Sequence, residues 1–284
     1  MRVSLLIFIF TFSTACSDIG GVKIDQNNLI NLVYTQTSFG SRAPGTDGSD
    51  NIISFIEQHL EKNNWIIEKQ MFVYKDKDLT NIIAKSNTND PDLIIGTHFD
   101  TRAISDQDRF EYKQHHPVPG ANDGASGTSV VLELSRIINP QRDNLWLVFF
   151  DGEDQGDING WEWSIGSQYF AKTVSTEIPE AIIIDMIGDI DLNIFLEINS
   201  DKEISKKIWG LAKTLGYQDS FIPKEKYAML DDHLPLINAG IPSILIIDFD
   251  YPYWHTTEDT IDKISPQSLA IITHVLFEHI QTKK

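Results

Sequence analysis

Histidines and carboxylates recur in this chain at the places where a sheet protein gathers its chemistry. His98 and Asp100 follow the apolar run Leu93-Ile94-Ile95, and Asp123 stands in Gly120-Ala121-Asn122-Asp123-Gly124-Ala125-Ser126-Gly127. Leu145 to Phe150 leads into Asp151-Gly152-Glu153-Asp154, Ala181 to Ile184 into Asp185, and Tyr253-Trp254 into His255. Taken singly, an Asp after a strand most often caps a helix, and a lone His is most often a hydrogen-bonded structural residue. Five such strand ends in one domain are a different case. Their carboxylates would repel strongly unless a divalent cation neutralised them, and carboxylate with imidazole is a zinc-compatible donor set. Cys16 is the single cysteine, so a thiolate zinc site and an internal disulfide framework are both excluded.

The elements that would position these groups read as one α/β domain. Helical spacing covers Asp25 to Ser38 and Asp47 to Asn63, with the loop Gly40 to Gly45 between them. Ser126 to Ile138, Lys202 to Leu215 and Pro266 to His279 read as further helices. Trp65 to Tyr74 and Leu79 to Lys85 alternate like two paired strands. The short apolar runs 93–95, 145–150, 181–184 and 243–247 suit strands covered on both faces. The expected fold is a central, mostly parallel mixed sheet with helices on both faces. In such sheets functional groups gather at the carboxyl ends of the strands.

Composition narrows the function classes. With 284 residues, 41% of them hydrophobic and 23% charged, the chain can bury a sizeable core and is not a disordered or collagenous protein. The 23 Lys and Arg against 41 Asp and Glu leave a net charge of −18. So acidic a surface repels phosphate backbones and anionic lipid heads, which argues against nucleic acid as a partner. Residues 1–15 read as a signal peptide: basic Met1-Arg2, apolar Val3 to Phe12, then Ser13-Thr14-Ala15. An apolar run of about 10 residues is too short to span a bilayer as an anchor. Cys16 then reads as the lipidated first residue of an exported bacterial lipoprotein in the periplasm or at the outer membrane. Residues 16–24 would form a short tether, residues 25–284 the catalytic domain, and the lipid the only membrane contact. Ser13 stands where such sites usually carry Leu, so an ordinary signal peptide is the plainer alternative.

The motifs in combination resemble the zinc-dependent aminopeptidase superfamily, and within it the glutaminyl cyclase branch of animals and bacteria. The shared motifs are His98-x-Asp100, Asp123-Gly-Ala-Ser-Gly, Phe-Phe-Asp-Gly-Glu153-Asp154, Asp185 and Trp254-His255-Thr-Thr-Glu-Asp. The branch is marked by Ser41-Arg42-Ala43-Pro44-Gly45-Thr46, Asp231-Asp232-His233-Leu234-Pro235 and Trp254 directly before His255. Glu162 to Tyr169 resembles the bacterial members of the animal-like type. The resemblance implies one zinc ion held by Asp123, Asp154 and His255, with Glu153 as general acid/base. It implies that Asp185 and Asp231 form a hydrogen-bonded acid network beside Glu153, and that Trp254 lines the substrate pocket. His98 corresponds to a ligand of the second zinc in two-metal relatives. Asp154 stands where the animal cyclases have Glu, and their disulfide near the first metal motif has no cysteines here.

The implied reaction is zinc-dependent glutaminyl-peptide cyclotransfer, from the N-terminal Gln of peptides or proteins to pyroglutamate with release of ammonia. The alternative is a two-zinc aminopeptidase, in which Glu153 activates a bridging water and His98, Asp123 and Asp185 complete a second metal site. A non-catalytic acidic binding lipoprotein is the remaining reading, and the intact acid and metal set argues against it. Trp161 and Trp163 are expected near the pocket. His115 and His116 read as a solvated loop, His59, His274 and His279 as helix residues, and Trp65, Trp146 and Trp209 as packing residues.

Overall fold

The computed structural model describes residues 18–19, 22–140 and 144–283. The segment read as a signal peptide, residues 1–15, and Cys16 lie outside the described residues. A short antiparallel ladder of β1 (Asp18–Ile19) and β2 (Val22–Lys23) precedes α1 (Gln26–Ser38) and α2 (Asp47–Lys62). Both helices start where a side chain caps them. Asp25 accepts from the Asn27 and Asn28 amides, and Thr46 accepts from that of Ser49. Next come β3 (Ile66–Tyr74) and β4 (Lys77–Lys85), a hairpin whose tight turn has both Lys75 and Asp76 at positive φ. That backbone matches the twist of the flanking strands.

The main sheet is completed by β5 (Leu93–His98), β6 (Leu145–Phe150), β7 (Ala181–Asp185) and β10 (Ser243–Ile247), in the order β10-β7-β5-β6-β4-β3. β10, β7, β5 and β6 run parallel, while β4 and β3 are antiparallel at one edge. Successive strand residues point to opposite faces, and the apolar runs therefore divide between two cores. Ile95, Leu147, Phe149, Ile182, Ile184 and Ile246 pack with α1, α2, α3 (Ala125–Ile137), α5 (Lys202–Thr214) and α7 (Pro266–Gln281). Ile94, Val148, Phe150, Ile183 and Leu245 pack on the other face with Phe170 of α4 (Ile165–Thr173) and Leu236 of α6 (His233–Asn238). Burying each such side chain contributes about 1.5–3 kcal/mol. The expected fold class is the one observed.

Two elements not expected from the pattern form a separate parallel pair, β8 (Ile194–Glu197) and β9 (Phe221–Tyr227). Phe221-Ile-Pro-Lys-Glu-Lys-Tyr227 is exposed along most of its length, so no apolar run marks it. α4 and α6 are likewise short, and α4 begins after Ser164 in the left-handed region, not after a capping side chain. Within the main sheet the chain passes from β5 to β6 on one side, then crosses to β7 on the other. The reversal leaves a crevice at the carboxyl end of β5, where ligands of open α/β sheets bind.

Candidate active site

His98 ends β5 and Asp185 ends β7, while Glu153 and Asp154 lie just past β6, Asp123 just before α3, and His255 in the loop after β10. Two further acids hold these turns in place. Asp100 accepts hydrogen bonds from the amides of Glu153 (3.0 Å) and Asp154 (3.3 Å) and from the Gln155 side chain (3.0 Å). Asp259 accepts from the amides of Asn122 (2.9 Å) and Asp123 (3.2 Å) and from the Tyr251 hydroxyl (2.7 Å). Asp259 stands in the Trp254-His255 motif, but nothing in its spacing reveals this link. After Asp123 the chain turns through Gly124 at φ +90, where a Cβ would meet the Asp100 carbonyl at 2.5 Å. His255 itself has φ +55, a backbone that a non-glycine residue adopts at a cost of roughly 1–3 kcal/mol.

The turns bring together two buried donor groups that share Asp123: Asp123 with Asp154 and His255, and His98 with Asp123 and Asp185. His255 Nε2 lies 2.7 Å from Asp154 Oδ1 and 3.5 Å from Asp123 Oδ2. Ligand atoms on zinc arms of about 2.0–2.1 Å at tetrahedral angles stand about 3.3 Å apart. Asp123 Oδ2 and Asp154 Oδ2 are buried and accept no hydrogen bond from the protein. Buried carboxylate oxygens without donors are costly, and a divalent cation would satisfy both. The first group therefore fits zinc in donor chemistry, with one ligand atom from each residue within 4.8 Å of the others. In the second, His98 Nε2 lies 3.0 Å from Asp185 and 3.1 Å from Asp123, with Nδ1 3.4 Å from Asp100. Burial opposes a charged His98, yet these three carboxylates hold its pKa well above the ordinary value.

Glu153 is buried beside the first group, and its Oε1 accepts from the Ser164 hydroxyl at 3.1 Å. Burial pushes its carboxyl well up, and the charges of Asp231, Asp232 and Asp154 push it further against the pull of His98. The same causes raise Asp231 to about 7, where burial acts with Asp185, and Asp154 to about 6, where burial acts with Asp123. Asp185 is raised as well, by burial and against the pull of His98. Each of these acids has its own partner: Asp185 Oδ1 lies 3.0 Å from His98 Nε2, and Asp231 Oδ1 accepts from the Asp232 amide at 2.6 Å. Asp231 and Asp232 are carried by a turn anchored on Glu197. The Glu197 carboxylate accepts from the Met229 amide (3.1 Å) and lies 3.1 Å from His233 Nε2.

The aromatic residues divide. Trp254 is partly buried with its ring 3.8 Å from the His255 ring, and Trp163 lies parallel to His255 at 5.9 Å. Gly156 makes the Trp163 position available, because a Cβ there would lie 2.0 Å from the indole. Trp161 packs edge-on against Tyr74. The cleft beside Glu153, about 550 Å³, is lined by Trp163, Ser164 and Asp231 among others. Loop residues His115 and His116 are exposed. His59 faces the Leu132 carbonyl, His274 the Tyr217 hydroxyl and His279 the Glu180 carboxylate, all structural contacts. Trp65, Trp146 and Trp209 are buried packing residues.

Arg42, read in the sequence only as part of a motif, is fully buried behind these acids. Its guanidinium donates to the carbonyls of Phe99 (3.1 Å), Pro119 (3.1 Å) and Gly120 (2.6 Å), tying the His98 turn to the Asp123 turn. Burial lowers its pKa to about 10, so it stays charged and offsets Asp259, Asp100, Asp123 and Asp154. Arg42→Met should therefore lower unfolding stability by about 3–5 kcal/mol, the cost of removing one partner from a buried charge network. Arg42→Lys should recover only part of it, since one ammonium cannot reach three carbonyls as the planar fork does. Denaturant unfolding checks this, and a Met variant within about 1 kcal/mol of the parent would count against the network.

Residues 81–280 match peptidase family M28. Aminopeptidase YwaD of Bacillus subtilis (strain 168) is 26% identical over 227 residues, covering 73% of this chain and 46% of its own length. The chain thus spans less than half of that relative. Glutaminyl-peptide cyclotransferase of Boiga irregularis is 24% identical over 284 residues, covering 83% of this chain and 75% of its own. Among solved structures, the glutaminyl cyclase of Bacteroides thetaiotaomicron bound to N-acetylhistamine superposes with a TM-score of 0.86 at 30% identity. It covers 92% of this chain and 99% of that one.

Proposed function

The chain belongs to peptidase family M28, and we propose that within it the protein is a zinc-dependent glutaminyl-peptide cyclotransferase. Its substrates would be peptides or proteins with N-terminal Gln, its products pyroglutamate and ammonia. One observation carries this reading. The buried acids Glu153, Asp185 and Asp231, each raised first by burial, lie beside the Asp123–Asp154–His255 group, and two indoles pack on His255. Likeness to cyclases in sequence and fold supports it. We also read the protein as exported and lipidated at Cys16. Among the described residues no helix is long and apolar enough to cross a membrane.

We assign Asp123, Asp154 and His255 as ligands of one zinc ion, which when bound supplies a Lewis acid for the substrate's γ-amide oxygen. The nucleophile is the substrate's own α-amine, so no Ser or Cys of the chain is required. Glu153 accepts a proton from that nitrogen as it bonds to the γ-amide carbon. It then returns the proton to the amide nitrogen, and the carbon–nitrogen bond breaks to release ammonia. A raised pKa makes Glu153 a stronger base and brings it nearer working pH. Asp185 and Asp231 keep a proton in circulation beside it. Trp254 holds the glutamine side chain bent toward its own amine, and oriented ring closures reach effective molarities up to about 10⁵–10⁸ M.

The second reading, a two-zinc aminopeptidase, draws on the His98–Asp123–Asp185 group that shares Asp123 with the first. A panel of free-amine dipeptides, read for both amino-acid and ammonia release, separates the two. Gln-Xaa should yield ammonia, Glu-Xaa should cyclise weakly, and Leu, Ala or Met should scarcely be released. Efficient release of free Leu, with no ammonia from Gln-Xaa, would favour the aminopeptidase.

A further inference from the structure

We propose that the groove between α4 and α6 binds the second and third residues of the peptide, favouring an apolar second residue and an acidic third. The proposal rests on the cyclotransferase reading and goes beyond it. The groove is continuous with the site. Trp163, Ser164 and Asp231 line it, and Ser164 is the residue that donates to Glu153. A substrate whose first residue lies against Glu153 must carry its remaining chain out of the site, and the groove offers that path. Along α4 it extends from Ser164 to Lys172, eight residues and hence about 12 Å at the helical rise. An extended peptide advances about 3.3–3.6 Å per residue, so that length takes about three residues. The volume of about 550 Å³ lies within the range of about 300–1,000 Å³ usual for small-ligand sites.

The lining sets the chemistry. Leu230, Leu234, Pro235 and Ala171 are apolar, and Leu230 is 67% exposed, far more than a leucine with a packing role. Such a wall suits an apolar side chain at the second position. At the far end Lys172 is exposed, a cation in a chain of net charge −18 that otherwise repels acidic peptides. Glu162 is engaged with the Gln168 side chain, which lies 3.4 Å from it.

The test uses the full zinc-loaded chain and C-terminally amidated tripeptides, with ammonia release as readout. kcat/KM for Gln-Leu-Gly should exceed that for Gln-Gly-Gly by about tenfold, the scale of apolar pocket selectivity. Gln-Leu-Glu should exceed Gln-Leu-Lys by about threefold, as expected of one exposed ion pair. Leu230→Ser should collapse the first ratio toward one, and Lys172→Glu should bring the second below one. Ammonia release that is equal across the peptides, or ratios that survive both substitutions, would overturn the groove and leave the cyclase reading standing. Ammonia from no Gln peptide would overturn the cyclase reading, and the groove assignment with it.

Discussion

Glu153→Gln should lower cyclisation by about 10²–10⁴-fold, the usual contribution of a positioned general acid/base. The substitution preserves shape and the possibility of a hydrogen bond with Ser164. It removes the one function the mechanism needs there, since an amide cannot take up and return a proton. Stability should not fall. A carboxyl raised by burial is destabilising wherever it must ionise, so a neutral isostere leaves the unfolding midpoint unchanged or higher. Zinc content should match the parent, because Glu153 is not one of the three assigned ligands. Single-turnover ammonia release together with metal analysis tests all three expectations. Parental turnover in this variant would remove Glu153 from the mechanism.

His255→Ala should lose both zinc and activity. With its ring gone, the assigned site retains Asp123 and Asp154 alone. The loss in zinc affinity should exceed the 10–100-fold or so that follows from removing a partner which merely orients a ligand. Chelation of the parent should abolish cyclisation and added zinc restore it. Trp254→Ala provides the contrast, since its ring packs on His255 at 3.8 Å and no assigned ligand atom belongs to it. That variant should keep most of its zinc and lose turnover through substrate positioning. If His255→Ala held stoichiometric zinc at parental affinity, the ligand assignment would be wrong.

Much of this architecture is legible along the chain. The runs at β5, β6, β7 and β10 are apolar on successive residues because both faces of the sheet are covered, and that demand leaves its mark residue by residue. Asp25 and Thr46 mark helix starts for an equally local reason, the need to satisfy free amides within the first turn. The acids and histidines are found at strand ends because the sheet places them there. Their identity as a set comes from being too many and too alike in charge to be unrelated caps. β9 escapes notice because most of it is exposed and carries no apolar period, and its partner β8 lies more than twenty residues away.

The residues themselves, their count and their place at the ends of apolar runs are properties of the sequence. Which of them meet is decided only by the folded chain. Asp123 serves both donor groups because α3 begins where the turns after β5 and β6 converge. Asp100 and Asp259 act by holding the amides of Glu153, Asp154, Asn122 and Asp123 at separations of 53 to 137 residues. No local pattern encodes a hydrogen bond across such a distance, since the partner's identity depends on which strands become neighbours. The same holds for Arg42, whose cation lies behind a cluster of acids because the loop before α2 folds against the turns at Phe99 to Thr101 and Pro119 to Gly120. Charge type is written in the sequence, but the burial that raises Glu153 and Asp231 arises only when the strand order reverses at β5 and the cores close around them.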